Sequence, residues 1–470
     1  MSHEQFIEEE SSLELTLNSV EQLGTEHLQN VQASREKLWQ LKGLQRPTNG
    51  ERPKLVVRHV TSEEFYADGA VTVTPLRRQP SESAEHEVFH KDERYQRIRS
   101  FKVRGAFWAS IQAFRANPRI QGTAQATAGN AGQGGADYAE WHNRNEPTSV
   151  TAHTFTPHTA SEVKKAALRA RGATIHDHDP VTKERYETLH DAKAGARRFV
   201  ESRTQEGIGD IALLDPYAHP DTIAGQGTIM LETYAQLRDA GVDILGKPVR
   251  VRVGGGGFGL AIGCAEALQA LIDAGMIHPG SYVEATQEEH TDSMIRALEL
   301  LQTHESVDLK TLFAHDYFSA ANDGTAVEIP DINNVAAAYL LMQRGTLGVR
   351  RITKPRVASA MRLRPNDQDL EPAGSLGLAS YLEDSSTISG YLGLRHESLV
   401  DVIVLSGGNV SQTTKEEYTA ALEDRSSSIA AMGSVVTRRR IEVARPVAVD
   451  PAVHRIFKDQ LGDWGVELLD

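Results

Sequence analysis

Cysteine is almost absent from this chain: Cys264 is the only one among 470 residues. A disulfide within the chain is therefore excluded, and so is a zinc site built on several thiolates. Its neighbours, Ala261 to Gly263 and Ala265, are small or apolar, so the thiol reads as a buried filler rather than a nucleophile. Long apolar runs are missing too. No stretch approaches the ~18 uncharged residues of a membrane-spanning helix. Met1 to Glu10 is acidic and has neither the basic nor the apolar region of a secretory signal, so a cytoplasmic location is the expectation. Positive charge is in deficit: 64 Asp and Glu against 50 Lys and Arg give a formal net charge of −14. That balance argues against nucleic acid and anionic membranes as partners and leaves a small molecule.

Hydrophobic residues make up 40% of the chain, ample for the core of a multidomain protein. Leu17, Val20, Leu28, Val31, Leu38 and Leu41 recur at helical spacing, which predicts a helix from about Leu13 to Lys42. The turn-rich run Gln45 to Pro53 follows. Residues 1–50 are thus expected to be an N-terminal helical extension, packed on the body or on a subunit partner. Strands and helices alternate beyond it. Lys54–Val60, Thr148–Thr154, Thr174–His176, Arg250–Val253, Tyr282–Ala285 and Asp401–Leu405 read as strands, and Ala160–Arg171 and Leu260–Ala274 as helices. This alternation predicts an α/β protein with parallel sheets.

Ligands of such folds gather at the carboxyl ends of the strands. Three loops there have a suitable composition: Ala126–Gly135, Gly254–Gly259 and Ser406–Asn409. Glycines between a strand and a helix let backbone N–H groups approach an anion closely. A phosphate fits best.

Three chemistries compete for these loops. Gly254, Gly256 and Gly259 satisfy the G-x-G-x-x-G dinucleotide pattern, which would make the chain a nicotinamide-dependent oxidoreductase. Its acidic partner would be Glu284, farther along than the pattern asks. His86-Glu87-Val88-Phe89-His90 matches H-E-x-x-H, but that zinc motif needs a helix, and the turn-rich Gln79–Ser83 just before it favours a strand or loop. In the third, Lys102 stands beside Phe101 and ahead of small residues. A lysine in a depressing environment forms an imine with an aldehyde cofactor. A phosphate cradle and two polar loops keep it company, as pyridoxal phosphate requires.

The segments SFKVRGA (Ser100–Ala106), TAGNAGQG (Thr127–Gly134), DPYAHPDTIAGQGT (Asp215–Thr228), GGGG (Gly254–Gly257), EPAG (Glu371–Gly374) and LSGGNV (Leu405–Val410) come in order. Together they resemble the fold-type II pyridoxal-phosphate enzymes, specifically the threonine/serine dehydratase and serine racemase group. The resemblance implies a tryptophan synthase β-like fold of two parallel-sheet domains with the cofactor in the cleft. Residues 51–121 and 223–410 would form the large domain and 122–222 the small one, with 411–470 a tail of no assigned role. It implies that Lys102 holds pyridoxal 5'-phosphate and removes the substrate's α-proton. Gly254, Gly255, Gly256 and Gly257 would bind the phosphate, Asn130 the phenolic oxygen, and Ser406 would face the ring nitrogen. Thr127, Ala128, Gly129 and Asn130 would clamp the substrate carboxylate. Glu284 would help to hold a monovalent or divalent cation, and Glu371 would shape the pocket. Ala128 stands where the racemases carry a second-face serine, and Ala131 where the group usually has histidine. The implied activity is α,β-elimination on a hydroxy amino acid such as threonine or serine, by a homodimer or homotetramer. β-Replacement uses the same motifs and stays open.

Overall fold

The computed structural model describes residues 14–38, 40–41, 57–58, 65–66, 69–81, 86–127, 129–160, 162–304, 306–309, 327, 329–391 and 398–423. Ala128, most of the expected strand Lys54–Val60 and the tail from 424 onward lie outside them. All described residues belong to one compact unit, 1–428.

Two sheets carry the fold. In chain order their strands are β1 (Leu76–Gln79), β2 (His86–Asp92), β3 (Ile120–Ala126), β4 (Thr151–Phe155), β5 (Thr174–His176), β6 (Asp210–Leu213), β7 (Val249–Gly254), β8 (Tyr282–Glu288), β9 (Leu347–Ile352) and β10 (Leu399–Leu405). The larger sheet has the order β9-β8-β7-β10-β2-β1, and the smaller β5-β4-β3-β6. Every neighbouring pair is parallel except β1 with β2. β7 and β10 are rich in valine and buried on both faces, as parallel strands between helices are. The HEVFH run is β2, extended between β10 and β1, and His86 Nε2 lies 2.9 Å from Asp401 Oδ2. No helix presents the two histidines to a metal.

The helices that frame the site are α1 (Leu17–Leu38), α2 (Lys102–Ala116), α3 (Asn130–Asn145), α4 (Pro220–Asp239), α5 (Gly259–Asp273), α6 (Ile332–Gln343) and α7 (Pro372–Tyr391). Leu28 and Val31 of α1 share one buried cluster with Trp108 of α2, Ile229 of α4, Leu268 of α5 and Val335 of α6. The expected N-terminal helix is shorter than its spacing suggested. Thr16 Oγ1 accepts from Ser19 N at 3.2 Å, a cap that starts the helix at Leu17. Glu14–Thr16 pairs instead with Ser306–Asp308. Cys264 is fully buried in α5, where loss of hydration pushes its thiol up to about 12. Among the described residues no helix is long and apolar enough to cross a membrane.

Candidate active site

A cleft opens where strands of both sheets end. Ala126 closes β3, Gly254 closes β7, and Ser406 follows β10; all three line it. It encloses about 1010 Å³ not filled by protein atoms, part of it open to solvent.

Lys102 is the first residue of α2. Phe101 N donates to Ser406 O at 3.0 Å, and Ser100 bridges Gly407. These backbone contacts set the lysine and the Ser406 loop side by side. The Lys102 amine donates to Pro216 O at 2.9 Å and lies 5.1 Å from the centre of the Phe101 ring. Although the cleft leaves it partly accessible, loss of hydration lowers its pKa to about 8, with Asp215 and Glu371 pulling the other way. Far more of the amine is then neutral at physiological pH than of an ordinary lysine, as a nucleophile must be.

Across from it runs the glycine loop. Gly256 O accepts from Gln287 Nε2 at 3.1 Å, and Gly257 O from Asn334 Nδ2 at 2.6 Å. α5 starts at Gly259, so its first amides have no carbonyl partner within the helix. A Cβ on Gly254 would lie 2.5 Å from Ala373 O, and one on Gly257 2.3 Å from the Tyr217 ring. Both positions demand glycine. Gly255 departs from expectation: its N–H donates to Thr286 O at 2.8 Å and the residue does not line the cleft. The strand ladder runs one residue farther than the motif suggests, which takes that amide out of any anion cradle.

Asn130 opens α3. Its Nδ2 donates to Glu371 Oε1 at 2.8 Å, and its Oδ1 accepts from Asn409 Nδ2 at 2.8 Å. With the oxygen occupied, the amide offers the cleft a donor. Burial pushes Glu371 up to about 7, while Asn130, Lys164, Lys102 and Arg99 oppose the shift. Thr127, Gly129 and Ser406 also line the cleft, and Ser406 is 4% exposed.

Glu284 requires a correction. Its two carboxylate oxygens face Arg252 Nη1 at 2.8 Å and Arg350 Nη2 at 3.2 Å, with Ser380 Oγ donating as well. Two guanidinium groups repel any cation there. Among the described residues no cluster of three His, Cys, Asp or Glu side chains could hold a metal. The same pairing removes the carboxylate that a dinucleotide ribose would need.

The cleft thus gathers Lys102, Thr127, Gly129, Asn130, Gly254, Gly256, Gly257 and Ser406. It adds Lys164, Pro216 and Tyr217, to which the motifs gave no role. Tyr217 sits inside the quoted DPYAHP segment, and its hydroxyl accepts from Lys193 Nζ at 2.7 Å. Lys164 carried no local signal.

Residues 67–392 match the family model described as pyridoxal-phosphate dependent enzyme. The L-threonine dehydratase biosynthetic IlvA of Pasteurella multocida (strain Pm70) is 28% identical over 371 residues, 78% of this chain and 60% of that protein. That of Lactococcus lactis subsp. lactis (strain IL1403) is 31% identical over 190 residues, 40% of this chain and 41% of its own. This chain therefore spans less than two thirds of either relative. A solved threonine deaminase from T.th. is 26% identical with a TM-score of 0.55, covering 73% of this chain and 94% of that one.

Proposed function

The chain belongs to the pyridoxal-phosphate dependent enzymes, and on that premise we propose that it is an ammonia-lyase eliminating the hydroxyl group of an amino acid such as threonine or serine. Its two-sheet architecture is that of fold-type II. The observation that carries the proposal is the Lys102 amine, lowered to about 8, in one cleft with the glycine loop.

The residues present fit the cofactor. Lys102 would hold it, the amides of Gly256 to Gly259 its phosphate, Asn130 its phenolic oxygen, and Ser406 would face its ring nitrogen. When bound, such a cofactor supplies an electron sink that acidifies the α-carbon of an attached amino acid. Lys102 Nζ takes the α-proton and holds it, a task suited to an amine that titrates near working pH. Ser406 offers the ring a neutral hydroxyl rather than a carboxylate, which keeps the sink weak. Prompt loss of a β-substituent is favoured over transamination. Thr127, Gly129 and Asn130 supply hydroxyl, backbone and amide donors for the substrate carboxylate. Loss of the β-hydroxyl as water, carrying off the proton that Lys102 holds, would leave an enamine, whose hydrolysis by another water yields a 2-oxo acid and ammonia. That the curated relatives are threonine dehydratases supports elimination over β-replacement. The resemblance also supports a homodimer or homotetramer acting in the cytoplasm.

The test is an absorbance spectrum of the purified chain with pyridoxal phosphate, beside a 2-oxo acid assay over threonine, serine and 3-hydroxyaspartate. A visible band lost in Lys102→Ala, with keto acid from one amino acid, is the expected result. A wild-type chain that takes up no cofactor would sink the proposal. Uptake without keto acid would move the activity to β-replacement.

A further inference from the structure

α1 lies outside residues 67–392, the stretch matched by the family, yet it reaches the glycine loop through one side chain. Asn334, at the start of α6, is fully buried. Its Nδ2 donates to Gly257 O at 2.6 Å and to Tyr217 O at 3.1 Å. It therefore clamps the glycine loop to the segment that carries Pro216 and Tyr217. Both amide hydrogens are spent on carbonyls, which only accept. His27 Nε2 lies 2.9 Å from the remaining atom, Asn334 Oδ1. That oxygen can only accept, so His27 Nε2 must carry a hydrogen.

His27 is 6% exposed. Burial lowers its pKa, with Asn334 and Asp215 opposing and His219 adding to the shift, which favours a neutral ring with its hydrogen on Nε2. The approach of α1 to α6 is built in. A Cβ on Gly24, one turn before His27, would sit 2.7 Å from Ala336 O, so only glycine lets the helices come this close. Farther along α1, Arg35 Nε donates to Glu266 of α5 at 2.8 Å. α1 is thus fastened both to α6 and to the helix whose first turn forms the cradle.

We propose, resting on the reading of the glycine loop as a phosphate cradle, that His27 is a positioning residue for that cradle. By donating to Asn334 Oδ1 it fixes the amide in the one orientation that holds the Gly257 and Tyr217 carbonyls. Rotating the amide would set its oxygen against two carbonyl oxygens. Without the His27 donor, Asn334 Oδ1 is left buried and unsatisfied, and the clamp loses the contact that selects its orientation.

The test measures pyridoxal phosphate affinity of the full chain by absorbance titration. His27→Leu is expected to weaken binding about tenfold, while His27→Gln, which keeps an N–H donor, stays near wild type. In an Asn334→Leu background, which removes both the clamp and the His27 acceptor, His27→Leu should add no further loss. A His27→Leu affinity equal to wild type overturns the proposal, as does equal weakening by Leu and Gln. So does full additivity, that is, the same fold-loss from His27→Leu with and without Asn334→Leu. A second measurement needs no substitution: the ring nitrogens of His27 followed by NMR in the wild-type chain. The neutral Nε2–H form is expected, and a neutral Nδ1–H form overturns the proposal, since Nε2 could then only accept. Should the wild-type chain bind no pyridoxal phosphate, the functional proposal fails, and the His27 tautomer still decides the geometry.

Discussion

Glu371 and Lys102 are two titrating side chains of the cleft whose surroundings make measurable demands. Burial raises Glu371 from 4.5 to about 7, so between those values the folded chain binds a proton that the unfolded chain has released. Stability therefore falls as pH rises across that window. Glu371→Gln cannot ionise and should flatten this part of the thermal-midpoint curve; parallel curves for wild type and variant would refute the assignment. Lys102 must be neutral to attack an aldehyde, and its pKa is lowered to about 8. The rate of pyridoxal phosphate capture should climb up to about pH 8 and then level off, as read by stopped-flow absorbance. A rate still climbing steeply toward about pH 10 would mean an unperturbed lysine. Lys102 and Asn130 were legible in the sequence because each sits inside a short run whose neighbours share its task. Lys164 and Glu284 were not, for opposite reasons. Lys164 enters the cleft only because its helix, Glu162–Ala170, packs beside β5. Glu284 looked free only because its partners, Arg252 and Arg350, lie on adjacent strands.

The glycine loop is the element on which the site turns. Between β7 and α5 the chain must pass Tyr217 and Ala373 closely, and the clash of a Cβ at Gly257 is with an aromatic ring that has little room to yield. Tyr217 is buried and its hydroxyl is held by Lys193. Gly257→Ala should therefore cost about 1–3 kcal/mol and weaken cofactor retention, measured by denaturant unfolding and by dialysis against buffer. A variant with wild-type stability and retention would show that the loop and the Tyr217 segment do not press together as described. The strand before the loop and the helix after it were readable from valine alternation and small apolar residues. Where the ladder stops was not. Gly255, just past the strand, still donates its N–H to Thr286 O of the neighbouring strand, and no spacing rule says which glycine of a run is the first to free its amide. The start of α1 was hidden similarly, since the Thr16 cap is visible only once Ser19 turns back to it.

Across the whole molecule the centre of the larger sheet is held by charge as well as by apolar packing. Arg252 Nε lies 2.9 Å from Asp401, its Nη1 2.8 Å from Glu284 and its Nη2 2.5 Å from Asp384. Arg250 and Arg350 complete the cluster through Asp401 and Asp384. The three guanidinium groups balance the three carboxylates, and the cluster ties β7, β8, β9 and β10 to α7. Burial alone would raise Asp401, yet Arg252 and Arg250 hold it well below the usual carboxylate range. Arg252→Met would leave three carboxylates with two guanidinium groups, one buried negative charge unbalanced, at a cost of about 3–5 kcal/mol in stability, read by denaturant unfolding at neutral pH. The pH dependence follows from the depressed carboxylates. Their contribution is complete above the ordinary values, 3.8 for Asp401 and Asp384 and 4.5 for Glu284, and is lost as pH falls below these through the folded values. The gap between wild type and Arg252→Met should therefore narrow on acidification. Because the cluster is already neutral, added potassium or magnesium should leave the wild-type thermal midpoint where it is. A midpoint that rises with either ion would mean that Glu284 can exchange an arginine for a cation, and would restore the cation role that its guanidinium partners now deny it.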